Sequence, residues 1–428
     1  EKPMDAALFA ANRRATDMPP ADPWMAREKL NYYYLGYTIH GSVARMSGVS
    51  TWVGFNLALA TTFAMAVCAA AGLAWDAVRA WFGPRIAVVG GFFGAFFVMF
   101  AGNMYTPVRL LEHPERVWNT WWWGGIGWNA SRVVADAKPG DTINEFPSFS
   151  FVLGDLHPHV SALPFTILAL TLALNFLRTP RDAAEPTAFS RWPGPLLAGA
   201  AIGALYPMTS WDFPTYLAAA LVALGLSLGW TRRALISAVL VAGTSVLAWA
   251  PFILTFVPFA TGSEQDLPSF LRGIPGVSSA LKQIAFYRGE RTSAGEFLTM
   301  FGMPWLIAIV YFAVRLIRQA SDGTELRVPK SIVVAGGITA VIAIAWPAPV
   351  LLLAGIPLVC GVWLLYQNRE QGIGLDSLIS LLFAAGFGLV LLTEFFYLRD
   401  VFNGRMNTLF KVYYQAWTLT GIASALAI

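Results

Sequence analysis

The sequence predicts an all-α fold, a polytopic bundle of transmembrane helices, on three observations. Of its 428 residues 56% are hydrophobic and only 13% charged. That is too little polar surface to cover a soluble globule of this length. The apolar residues fall in runs of roughly 17 to 25, the length a helix needs to cross the hydrocarbon core of a bilayer. Basic residues gather in short connections between these runs, as the positive-inside rule expects of cytoplasmic loops.

About eleven runs qualify as spans, at 50–75, 84–102, 161–178, 194–207, 213–230, 234–256, 299–317, 331–346, 348–366, 374–396 and 412–428. The run at 194–207 is short and glycine-rich, which suits a broken, tilted or re-entrant segment. Pro347 and Pro349 separate two others. The short basic connections are 79–85, 178–191, 232–233, 315–330 and the turn at Arg369. Long, aromatic connections at 1–49, 103–160, 257–298 and 397–411, with the short 206–214, fall on the opposite, non-cytoplasmic side if the spans alternate. The expectation is one multi-pass transmembrane domain over 1–428, integral to the cytoplasmic membrane and in contact with its lipids. The first residue is not Met and the last lies within an apolar run, so a part of a longer chain is expected.

Several function classes lose support. The net charge of +4 is dispersed between apolar spans, so no nucleic-acid footprint is expected. Cys68 and Cys360 lie in apolar runs, where thiols act as small hydrophobes. The chain has no CxxC, HExxH, Walker or nucleophile-elbow pattern. Gly90, Gly91 and Gly94 sit within a span and predict close helix packing rather than a phosphate loop. Transport calls for ionisable groups inside spans. Glu394 and Asn175 lie near span ends and Asn56 within one, and the spans hold almost nothing else of the kind.

The polar constellations lie in the long connections. Asp155, His157 and His159 stand at alternate positions, and the chain has four histidines in all. Pro158 biases His157 away from helix, and in an extended run residues two apart face the same side. Such a cluster near a bilayer is a functional candidate; the alternative is a hydrogen-bonded loop that ties helices together. Glu1 and Asp5 are four apart, so one helical turn would align both carboxylates. Paired carboxylates suit a general base or a divalent cation, and the alternative is a solvated loop with interfacial aromatics. Trp118, Trp121, Trp122, Trp123 and Trp128 read as an interfacial belt, with a sugar-stacking platform as the other reading. In the last connection Arg399, Arg405 and Lys411, with Asn407, suit an anionic head group. Alternatively these cations pair with Glu394 and Asp400 or snorkel to lipid. Asp212 is expected to cap the span that follows it.

The segments Glu1-Lys-Pro-Met-Asp5, Asp22-Pro-Trp24, Asn31-Tyr-Tyr-Tyr34, Gly154-Asp-Leu-His-Pro-His159 and Arg405-Met-Asn-Thr-Leu-Phe-Lys411 together resemble an uncharacterised family of polytopic proteins, the YYY-domain membrane proteins. A second resemblance is to the GT-C glycosyltransferases, multi-helix enzymes that take sugar from a polyprenyl-phosphate donor at the outer membrane face. In that class an acidic residue of the first external loop serves as base, and several members bind a divalent metal. The resemblance implies a GT-C-like fold and assigns Asp5, or second Glu1, as base. Arg405 and Lys411 would neutralise the departing phosphate. Asp155, His157 and His159 would orient the acceptor or hold a divalent metal, with Tyr33, Tyr34 and Asn407 completing the substrate contacts. The competing expectation is a non-catalytic scaffold or accessory subunit of a larger membrane complex.

Overall fold

A computed structural model describes the chain except residue 1 and residues 116–124, 137–141, 179–191, 259–261, 264–268, 275–277, 279–280, 322–333, 335–336, 338–340, 342–347, 369–373 and 403. It is mostly helical, and the helices fall into two compact units: residues 1–99 with 150–257, and residues 100–149 with 258–428. Among the described residues five helices are long and apolar enough to cross a membrane, namely Thr51–Phe100, Pro158–Leu177, Ala294–Gln319, Val350–Asn368 and Leu375–Phe395. The protein is an integral membrane protein with apolar helices suited to lipid contact.

The first unit opens with the helix Lys2–Arg14. Pro3 sits in its first turn, where no intrahelical N–H is lost, and Asp5 there and Arg13 and Arg14 in the last turn complement the helix dipole. Its apolar face, Leu8 and Phe9, packs on Tyr37 and Ala44 of the helix Leu35–Met46 and on Phe55 and Ala58 of the long helix that follows. Phe9 meets Phe55 edge to face at 5.8 Å. Ser50 starts that long helix by accepting from the Val53 N–H.

The Thr51–Phe100 segment holds two of the sequence-predicted runs, 50–75 and 84–102. At Gly83 the backbone turns to φ 80°, a region open to glycine, and Pro84 follows, so the segment bends there. The two halves pack together: a Cβ on Gly94 would lie 2.6 Å from the Ala70 carbonyl, and one on Gly91 3.1 Å from that of Ala71. The close packing expected of these glycines is therefore present. The helix Pro158–Leu177 is buried along most of its length and packs against the long segment and the helix Phe213–Leu228. The 194–207 run is broken, as expected, into Pro193–Gly203 and Leu205–Met208. Asp212 sits at the N-cap of Phe213–Leu228, but its side chain makes no capping bond, so its expected role as a side-chain cap is not realised.

In the second unit the helix Leu375–Phe395 packs on Gly355–Asn368 and on Met406–Ala427, and the helix Ala294–Ser321 packs on Met406–Ala427. Close approach is again set by glycine, since a Cβ on Gly361 would lie 2.7 Å from the Ser380 carbonyl. Phe297, Phe301, Phe387 and Trp417 fill the space between helices. Two short antiparallel strands, Ile284–Phe286 and Phe396–Leu398, tie the connection before the first of these helices to the one after Phe395. Of the remaining predicted spans, 331–346 lies largely outside the described residues.

Candidate functional site

Asp5 is the pivot of the first unit. It lies one turn into the Lys2–Arg14 helix and is wholly buried, with a relative exposure of 0%. The Tyr37 hydroxyl donates to its Oδ1 at 2.5 Å, and His157 Nδ1 lies 3.2 Å from the same oxygen. Asp155, 1% exposed, completes the group: Asp5, Asp155 and His157 each offer a ligand atom within 4.8 Å of the others. A carboxylate only accepts hydrogen bonds, so His157 carries its proton on Nδ1 when Asp5 is ionised. Nε2 then accepts from the Tyr32 hydroxyl, 3.3 Å away. The hydroxyl of Tyr37 titrates well above its ordinary range, through burial first and then the negative charge of Asp5. It stays a donor at any physiological pH.

Local sequence explains how Asp155 and His157 come to face Asp5. The helix Pro147–Leu153 stops at Gly154, whose φ of 74° suits glycine, and the chain stays out of helix to His157, whose backbone is extended. Asp155 and His157 thus face the same side, as alternation predicts. The extended run ends sooner than expected, because Pro158 occupies the first position of a new helix. His159 therefore lies in the first helical turn, buried, with its ring 5.3 Å from that of His157, outside the Asp5–Asp155–His157 group.

The tyrosine triplet divides its work. Tyr32 reaches His157, whereas Tyr33 is buried against Phe256 and bonds Ser210 at 2.8 Å. Burial pushes the Tyr33 hydroxyl up to about 12. Tyr34 packs edge to face on Phe252. Glu1 lies outside the described residues, as do Trp118, Trp121, Trp122 and Trp123. Lys2 is exposed, and its Nζ would lie 3.4 Å from a Cβ placed on Gly154, which sets a cation beside the Asp155 turn.

The second unit has its own polar cluster around Arg405, also 0% exposed. Its Nε donates to Asp136 at 2.6 Å, Nη1 to Glu394 at 2.8 Å and Nη2 to the Glu290 carbonyl at 3.2 Å. The guanidinium lies 4.3 Å over the Tyr287 ring. Burial opposes its charge, but Glu394 and then the other anionic partners outweigh this and raise its affinity for the proton. Glu394 also accepts from the N–H and hydroxyl of Thr292. Asn407 donates to Asp400 at 2.6 Å, and the Lys411 ammonium sits over the Phe410 ring. Arg405 thus engages Glu394, an acidic residue that the sequence offered as an alternative partner for these cations.

Sequence reasoning missed Tyr37, Lys2 and Asp136. Tyr37 stands one turn past Tyr34 in an apolar helix and gives no sign of its bond to Asp5. Asp136 lies 269 residues from Arg405 in the chain, beyond the reach of any spacing rule.

Apolar helices with polar clusters buried in both units define a helical integral membrane protein. The chain belongs to the family described as Uncharacterized membrane protein (DUF2298), whose model matches residues 1–420. No curated protein and no solved structure matches the chain.

Proposed function

We propose that the chain is a membrane-embedded glycosyltransferase of GT-C type, acting at the non-cytoplasmic face of the cytoplasmic membrane on a polyprenyl-phosphate-linked sugar. The observation that carries this reading is the burial of Asp5 against His157, two groups 152 residues apart in the chain. Transfer requires an acceptor O–H to lose its proton as its oxygen bonds the sugar carbon, while the bond from that carbon to phosphate oxygen breaks and the phosphate leaves with the electron pair. A carboxylate braced by an imidazole and a phenol suits the first task. Positive charge suits the second. Arg405 spends its donors on Asp136, Glu394 and Glu290, so in this reading Lys2, exposed beside Gly154, is the cation for the phosphate. The eleven-span arrangement read from the sequence belongs to the same proposal, because it puts 1–49 and 103–160 on one face.

The test uses purified protein in proteoliposomes with a panel of polyprenyl-phosphate-linked sugars, reading release of polyprenyl phosphate. Asp5→Asn is expected to lower the rate at least about a hundredfold, in the range typical of a lost general base, with unchanged elution on size exclusion. Full activity in that variant would remove Asp5 from the mechanism. No turnover of any donor, with stoichiometric co-purification of another membrane protein, would support the scaffold reading instead.

A further inference from the structure

We infer that Asp5, Asp155 and His157 form a binding site for one divalent transition-metal ion, with Tyr32 as the partner that sets the imidazole. This deepens the proposed function and rests on it only for what the ion does in transfer: with the ion bound, Asp5 would be its ligand, and the ion would ease loss of the acceptor proton in place of a free carboxylate. Three observations carry it. First, one ligand atom from each residue lies within 4.8 Å of the others. Metal–ligand bonds of about 2.1 Å place neighbouring ligand atoms about 3.0–3.4 Å apart in octahedral or tetrahedral geometry. His157 Nδ1 and Asp5 Oδ1, at 3.2 Å, already have that separation. Second, both carboxylates are buried, Asp5 at 0% and Asp155 at 1% exposure. Two carboxylates held this close in low dielectric repel, and an ion of charge +2 balances them.

Third, the surroundings serve both the free and the loaded imidazole. Without an ion, the Nδ1 proton points at Asp5 and the Tyr32 hydroxyl donates to Nε2. With an ion, Nδ1 gives up its proton and becomes the ligand, the proton sits on Nε2, and the same hydroxyl accepts from it. A hydroxyl can play either part, and such an outer partner is what metal-bound histidines ordinarily have. The Tyr37 hydroxyl likewise holds Asp5 Oδ1 in place. One nitrogen and two carboxylates suit Mn2+ or Zn2+ better than Ca2+, which prefers six to eight oxygens. The ligand set differs from the alternating sequence triplet, with Asp5 in place of His159.

The test is MnCl2 binding to detergent-purified, EDTA-stripped protein, read as loss of the free-ion EPR signal. One Mn2+ per chain is expected, with CaCl2 a poor competitor. His157→Ala and Asp155→Asn should weaken binding more than tenfold, and His159→Ala less than twofold. Tyr32→Phe keeps all three ligand atoms, so it covers the case in which a ligand variant fails to fold; it should weaken binding about tenfold, the low end for an outer partner. Absent binding in the parent protein, or affinity unchanged in both Tyr32→Phe and His157→Ala, overturns the site. Loss of binding in His159→Ala equal to that in His157→Ala overturns the ligand set. Mn2+ bound without sugar transfer sinks the transferase and leaves the metal site; transfer by protein that binds no Mn2+ does the reverse.

Discussion

The two buried clusters differ in charge balance. In the second unit the Arg405 guanidinium faces two carboxylates, and Arg291 adds a second positive charge to the field of Glu394. Most of its hydrogen-bonding capacity is spent within the protein. Among the described residues of the first unit two carboxylates and an imidazole each bring a ligand atom within 4.8 Å of the others, and Lys2 lies nearby on the surface. A balanced cluster has little to gain from a ligand and holds segments together. A carboxylate-rich one favours a proton or a cation, which is what a reactive or binding site requires.

Substitution of Arg405 should separate the two clusters most sharply. Arg405→Met leaves Glu394 and Asp136 without their shared cation, and breaking a buried pair from one side costs roughly 3–5 kcal/mol. The expected outcome is a large fall in the apparent melting temperature in detergent. Arg405→Lys should recover only part of it, because an ammonium cannot make the forked contacts. Asp5→Asn, by contrast, weakens the bonds from Tyr37 and His157 but relieves the repulsion from Asp155, so the two effects offset and the net loss should be small. Equal losses in the two variants would break the distinction between a structural and a functional cluster.

The Asp5 cluster is also open to a smaller test through Tyr37. Its hydroxyl donates to Asp5 at 2.5 Å inside the protein. Hydrogen bonds to charged groups contribute roughly 1.5–3 kcal/mol. Tyr37→Phe should therefore destabilise the first unit by about 2 kcal/mol in urea titration. Combined with Asp5→Asn, the cost should shrink, because a neutral amide needs the phenol less. Additive losses would mean that Tyr37 acts through packing alone.

Much of this is legible in the sequence, for physical reasons. A bilayer demands long apolar helices, and among the described residues five are long and apolar enough to cross one, with 50–75 and 84–102 forming two halves of one segment bent at Gly83. Alternation placed Asp155 and His157 on one side. His159 departs from the expected side because Pro158 acts in two ways: it disfavours helix before itself and starts one after. The meeting of Asp5 with His157, and of Arg405 with Asp136, is tertiary and leaves no local mark. Glu394 was legible as a partner of Arg405 because only eleven residues separate them.

The smallest expected effect concerns pH, and it probes the helix that carries Tyr37. His40 lies one turn further along Leu35–Met46, buried, with Nε2 3.0 Å from the Thr62 hydroxyl. That hydroxyl already donates to the Ala58 carbonyl, so His40 Nε2 is the donor to Thr62. Burial lowers the proton affinity of His40 below its ordinary value of 6.5. The unfolded chain then binds the proton more readily than the folded one, so stability rises with pH between the folded and unfolded pKa values. The contribution is fully present above about 6.5 and is lost as pH falls through the lowered value. Melting in detergent should accordingly weaken below about pH 6.5, with a slope of at most about 1.4 kcal/mol per pH unit. His40→Asn, which retains an N–H donor but does not titrate, should flatten that part of the profile. A slope unchanged in His40→Asn would shift the acid sensitivity elsewhere, with the His157–Asp5 pair the first place to look; a flattened slope would confine it to the helix and leave the Asp5 cluster intact at mildly acidic pH.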